Sequence, residues 1–225
     1  MSKYNFQTYI DFGSSKIRIG IFDYELPKNN LYKEMECLSN FDLQKLNLDT
    51  SKKLINKLIQ DSEKDLSFHI KNITLMIDAP DVQSFDFSIK RNLDSKNSFF
   101  EDIKFLLQDA RQLAQKNNDK KIIVHTIIEK IIIDEKIYKE LPDDNINYKS
   151  IALELKFIYI SEKFYDTIVK HFKSIHIEVD SILCSSYVKS LNYNQYFNHY
   201  NKKTFLDIGY KKSCVTVFDK EKLIL

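Results

Sequence analysis

Three glycines serve a chain of 225 residues, and two of them sit at the same place in two related segments. The first reads Asp11-Phe12-Gly13-Ser14-Ser15-Lys16 and the second Asp207-Ile208-Gly209-Tyr210-Lys211-Lys212. With each Asp as origin, both carry Gly at +2, Lys at +5, aliphatic residues at +8 and +10 (Ile19 and Ile21; Val215 and Val217) and Phe at +11 (Phe22; Phe218). Such a repeat means one supersecondary unit used twice. Apolar residues alternate with period two around each segment, which predicts a pair of β-hairpins.

A tight hairpin turn gathers backbone N–H groups into a concavity suited to anionic oxygens, and glycine supplies an unusual φ and room for close backbone approach. Each N–H to a charged phosphate oxygen contributes about 1.5 to 3 kcal/mol. An Asp just before the turn makes sense beside phosphate if a hydrated Mg2+ stands between them. The candidate phosphate-binding residues are therefore Asp11, Gly13, Ser14, Ser15, Lys16, Asp207, Gly209, Tyr210, Lys211 and Lys212, with Asp11 and Asp207 holding Mg2+ through water. One copy alone would be ordinary turn chemistry; the matched pair raises it above that.

Between the hairpins the period changes several times. A third strand is expected near Tyr32 to Phe41, then a helix carrying Leu54, Ile55, Leu58, Ile59 and Leu66, capped by Asp49 or Thr50, and a strand at Ile73 to Ile77 stopped by Pro80. A short extended segment runs into the polar stretch Arg91 to Asn97. Ser98 and Glu101 have capping-box spacing ahead of a helix whose apolar face holds Phe100, Ile103, Leu107, Ala110 and Ala114. The stretch Lys120 to Asp134 is too β-branched for a comfortable helix, and Ile151 to Ile160 alternates. Residues 84–160 thus read as a small α+β unit. Ser161 is placed to cap a helix with Phe164, Ile168, Val169 and Phe172, followed by a strand at Ile175 to Leu183 and a short helix from Ser185 or Ser186.

Composition narrows the function classes. Lys plus Arg (34) nearly balance Asp plus Glu (32), which argues against a dedicated nucleic-acid binder. Tyr193, Tyr196, Phe197 and Tyr200 have too few neighbouring cations for a base-stacking platform. Hydrophobic residues at 43% allow a real core. Cys37, Cys184 and Cys214 form no disulfide framework, and neither they nor the five histidines have zinc-ligand spacing, so a reduced, cytosolic setting is expected. The isoleucine runs between 122 and 133 are either buried core or an exposed edge that recruits another protomer.

The string Tyr9-Ile10-Asp11-Phe12-Gly13-Ser14-Ser15-Lys16-Ile17 resembles the first phosphate motif of the actin-like ATPases, and among them that of the FtsA family of bacterial cell-division proteins. Further similarities follow in family order: Asp109-Ala110-Arg111, the strand from His125 to Asp134, Ile177 to Ile182, Ser185-Ser186-Tyr187, and Leu206-Asp207-Ile208-Gly209. The resemblance spans the chain but only about the first half of such a protein. It implies an α/β, actin-like (ribonuclease H-like) lobe: subdomain 1A over 1–83 and 161–203, an inserted SHS2-like subdomain 1C over 84–160, and the opening hairpin of subdomain 2A over 204–225. It further implies ATP and Mg2+ as cofactors, bound weakly or not at all by this length of chain. The implied role is a scaffold that self-associates, anchors FtsZ to the inner face of the cell membrane at the division site and recruits later division proteins. FtsZ contact and a membrane-targeting helix would lie beyond residue 225, and the chain, ending on Leu223-Ile224-Leu225, reads as truncated with an unpaired strand edge.

Three departures matter. Where the second motif usually holds further glycines this chain has Tyr210 and Lys211, and a left-handed conformation there would cost about 1 to 2 kcal/mol apiece. Lys211 and Lys212 are either point charges for phosphate or solvated turn lysines. Cys214 stands where the family carries a carboxylate, so no general base can be assigned and ATPase activity is expected to be slow or absent. A pilus-assembly adaptor of the same superfold, a degenerate paralogue that binds no nucleotide, and a phosphotransferase are the competing readings.

Overall fold

The computed structural model describes residues 6–13, 15–37, 49–78, 81–92, 98–138, 142, 147–210 and 212–224. The chain divides into two compact units, Met1–Asp81 with Lys163–Leu225, and Val82–Glu162. The second contains all of 84–160.

In the first unit, β1 (Phe6–Phe12) and β2 (Lys16–Asp23) form the first hairpin and β3 (Leu31–Glu36) extends it. After α1 (Asp49–Leu66), β4 (Asn72–Ile77) joins parallel to β1. The chain re-enters the unit to form α3 and β9 (Glu162–Lys173 and Glu178–Cys184), and β9 lies parallel to β4. The sheet order is β3-β2-β1-β4-β9. Alternation decides its faces: Ile10, Phe12, Ile17, Ile19, Ile21, Ile73, Leu75 and Ile77 are all buried on one side. Helix α1 contributes Ile55, Leu58 and Ile59 to the core, and α3 contributes Phe164, Ile168 and Phe172, the last meeting Phe12 edge to face at 6.1 Å.

Strand β9 starts at Glu178, not at Ile175 as the pattern suggested. The N–H groups of Ile175 and Ile177 both donate to the Phe172 carbonyl (3.0 and 3.1 Å), and His176 takes φ 61°, so these residues close α3. Helix α4 (Ser185–Tyr196) follows β9 directly. The second hairpin, β10 (Lys202–Ile208) and β11 (Ser213–Asp219), forms a separate three-stranded sheet with β12 (Lys222–Leu223). Leu223 is therefore paired, opposite Phe218.

The second unit is a four-stranded antiparallel sheet, β5 (Gln83–Asn92), β8 (Ser150–Ser161), β6 (Lys121–Ile133) and β7 (Lys136–Tyr138) in that order, with α2 (Phe99–Lys116) against it. The capping box is formed: the Glu101 N–H donates to Ser98 Oγ (3.3 Å) and the Ser98 N–H to Glu101 Oε2 (3.4 Å). That cap makes Phe99 the first helical residue, and the buried stripe is Phe99, Ile103, Leu106, Ala110 and Ala114. Phe100, expected on that stripe, is instead 48% exposed. Strand β6 pairs with β8 along its length but slips register twice, leaving Val124 and Glu129 as bulge residues. Its other side meets β7 only over Ile131–Ile133.

His125 lies on β6 opposite Ile158, and burial pushes its imidazole down from 6.5 to about 4. The fold holds it neutral, whereas the unfolded chain takes up a proton near 6.5, so stability falls as pH drops through the window from about 6.5 to about 4. A loss of about 3 kcal/mol over that window is expected. Chemical denaturation at stepped pH should show it in the wild type and a flatter profile in His125→Leu.

Candidate functional site

The two hairpin turns are built alike. The Gly13 N–H donates to the Lys16 carbonyl at 2.9 Å and the Gly209 N–H to the Lys212 carbonyl at 2.8 Å. A Cβ added at either glycine would stand 2.8 Å from that same carbonyl oxygen. Neither glycine has positive φ, and Tyr210 does not either. The expected unusual φ is thus not used: glycine is needed for close backbone approach, and the strain anticipated at Tyr210 is absent. Ser14 and Lys211 lie outside the described residues.

Register puts Asp11 opposite Arg18 and Asp207 opposite Cys214. Because Ile10 and Phe12 are buried, Asp11 emerges on the other face of the sheet. Its carboxylate is only 14% exposed and fully engaged. Ser185 Oγ donates to Oδ1 (2.9 Å), and Arg18 Nη1 donates to Oδ2 (3.2 Å). Lys189 Nζ is 3.7 Å from Oδ2 of Asp11 and 3.7 Å from Oδ2 of Asp207. One ammonium therefore joins the two turn carboxylates.

Helix α4 brings Ser185 and Lys189 to this place from one face, four residues apart. No side chain of its own caps it. Asp78, just past β4, does so instead, its Oδ1 accepting from the Ser186 N–H (2.8 Å) and Ser186 Oγ (2.9 Å). Neighbouring Cys184 is buried, which raises its thiol above the ordinary range.

Lys16, expected at phosphate, is held elsewhere. Its ammonium is 2.6 Å from Glu34 and 4.0 Å from Glu36 on β3, and the Glu34 hydrogen bond raises the lysine above its ordinary value. Glu34 also faces Arg18 Nε at 3.4 Å. The Ser15 carbonyl accepts from the Cys37 N–H (2.7 Å), while Tyr210 is 78% exposed. Charges alternate along one continuous row: Lys16, Glu34, Arg18, Asp11, Lys189, Asp207.

The Mg2+ implied by the resemblance does not fit this arrangement as it stands. Both oxygens of Asp11 already accept from Ser185 and Arg18, and the side that faces Asp207 is filled by Lys189. Beside Lys189 and Asp207 opens a cavity of about 400 Å3 whose other walls include Tyr193, Phe197 and Phe205. A larger hollow of about 560 Å3 lies in the second unit, lined by Gln112, Gln115, Lys116, Asp119, Lys120 and Glu162. That lining is polar and charged with no aromatic ring, whereas the smaller cavity sets three aromatic rings beside Lys189 and Asp207, which directs attention to it.

Arg18 and Lys189 were not expected at the site from the sequence, and Ser185 was marked there only as a helix start and within the Ser185-Ser186-Tyr187 similarity. Arg18 stands at +7 from Asp11 where the second segment has Cys214, a visible break in the repeat. Lys189 had only its helical spacing from Ser185 to mark it.

No family model and no curated protein matches the sequence. Solved structures do. A chain of the "PilM-PilN type IV pilus biogenesis complex" aligns with TM-score 0.62 and 8% identity over 97% of this chain, which spans 60% of the length of that one. A Bacteroides thetaiotaomicron protein "with actin-like ATPase fold and unknown function" aligns with TM-score 0.48 and 12% identity, over 100% of this chain and 71% of that one. The ethanolamine utilization protein EutJ of Carboxydothermus hydrogenoformans aligns with TM-score 0.48 and 9% identity, over 98% and 50%. The α/β fold, a sheet of order β3-β2-β1-β4-β9 together with a small α+β unit, is the one shared with the PilM-PilN chain.

If close approach is the reason for glycine, Gly13→Ala and Gly209→Ala each cost about 1 to 3 kcal/mol, since the obstructing atom is backbone. At Gly20 a Cβ meets only the Phe22 ring, which is 38% exposed and can swing aside. Gly20→Ala should be neutral or slightly stabilising. Urea melts of the three variants check the contrast.

Proposed function

We propose that this chain is the first lobe of an actin-like scaffold, working by holding proteins together at the cytoplasmic face of a bacterial membrane and not by turning over ATP. The observation that carries this reading is Lys189 between Asp11 and Asp207: the carboxylates that would handle Mg2+ and water are neutralised from within. The residue opposite Asp207 is Cys214, which gives water no second carboxylate to orient it. ATP is then bound weakly or not at all. The inserted unit 82–162 supplies the surface for protein partners. Among the described residues no helix is long and apolar enough to cross a membrane.

The assembly served is a cell-division complex, with FtsZ and later division proteins as partners, on the strength of the Asp11 to Ile17 string. A pilus-assembly adaptor is the second reading, favoured by the shared arrangement with the PilM-PilN chain over 97% of this length. Deleting the gene separates them: filamentous cells that fail to divide support the first, and normally dividing cells without surface pili support the second.

Steady-state phosphate release from Mg-ATP by the wild type should match that of the Asp11→Ala, Asp207→Ala double variant. Release several-fold above that control overturns the non-catalytic reading.

A further inference from the structure

Two carboxylates brought together at paired turns ordinarily call for a cation, and here the chain provides one. We propose that Lys189 takes the place of a divalent ion between Asp11 and Asp207, so that an internal ammonium ties the second hairpin to α4 and β1 and the wild-type site takes up no Mg2+. The inference deepens the scaffold reading, but it is tested by metal uptake, which that reading's phosphate-release and deletion tests do not measure.

The geometry supports substitution of one cation by another. A hydrated Mg2+ keeps most of its waters and reaches carboxylates across them. An ammonium 3.7 Å from each of two carboxylate oxygens answers the same charge without touching either at contact distance. Lys189 is set there by its helix: α4 is anchored at Ser186 by Asp78, and Ser185, one turn before Lys189, donates to Asp11 itself. The carboxylates differ in what remains to them. Asp11 keeps Arg18 and Ser185 if Lys189 is removed, whereas for Asp207, whose side chain is 45% exposed, Lys189 is the one ion-pair partner among the described residues. Removing the ammonium leaves an acidic pair whose second member keeps no ion-pair partner among the described residues and is open to solvent.

The decisive variant is Lys189→Met, which keeps the unbranched side chain as far as the ε position and loses the charged ammonium. At 40% exposure the lysine can be replaced without opening a core. Mn2+ titration followed by electron paramagnetic resonance should find no site in the wild type or in Lys189→Arg. In Lys189→Met affinity should rise at least about tenfold, the least that removing a unit charge beside a divalent ion gives even at the dielectric of water. About 10 mM Mg2+ should then raise the variant's melting temperature by about 2 to 4 °C, with almost no effect on the wild type. Adding Asp207→Asn to Lys189→Met should abolish both gains. The proposal is overturned if folded Lys189→Met, checked by circular dichroism, gains no metal. It is equally overturned if the wild type binds Mn2+ and Asp207→Asn removes it, an outcome that needs no lysine variant to fold.

Discussion

Neighbouring side chains on a strand point to opposite sides, and that rule organises this molecule. Burying Ile10 and Phe12 in β1 obliges Asp11 to face away from the core. Burying Ile17, Ile19 and Ile21 in β2 does the same to Lys16 and Arg18, and Glu34 meets them from β3. The charged row is therefore the reverse side of the hydrophobic pattern. The second hairpin repeats the turn bond, which brings Asp207 to an equivalent point of its own strand, but its flanking Leu206 and Ile208 are exposed.

Exposed ion pairs contribute little singly, about 0 to 1 kcal/mol. Asp11 is in another position, since a carboxylate with 14% of its side chain exposed has to be met by donors or charges. Ser185, Arg18 and Lys189 meet it from two elements far apart in the chain. What they achieve is fixed geometry: each cation of the row lies between acceptors, and α4 cannot turn without parting Ser185 and Lys189 from Asp11. A site arranged in this way suits constancy of shape better than turnover.

Much of this was legible in the sequence because it is local. The repeat marked both hairpins, the Ser98 to Glu101 spacing marked the start of α2, and the apolar periods of α1 and α3 marked their inner faces. The stripe of α2 was read one residue late because Phe99 and Phe100 are alike in chemistry and only the formed cap decides which is first inside. Strand β6 showed no clean alternation because the bulges at Val124 and Glu129 each reverse which side faces the core. Lys16 was assigned to phosphate by motif position, yet its ion-pair partner on the next strand, Glu34, cannot be known before β3 is paired with β2. Lys189 was illegible for the same reason in stronger form: its two partners lie near opposite ends of the chain.

The same bulges bear on the outer side of β6. Its N–H and C=O groups over residues 121–130 pair with no further strand among the described residues, on a stretch rich in isoleucine. A regular edge of that composition would template the addition of strand upon strand, since each newcomer needs only to match an even spacing of donors and acceptors. Here the spacing is interrupted at Val124 and again at Glu129, so an arriving strand can keep step for only a few residues before its bonds fall out of phase. The inserted unit can thus carry an apolar margin in a crowded cell without seeding fibrils of itself.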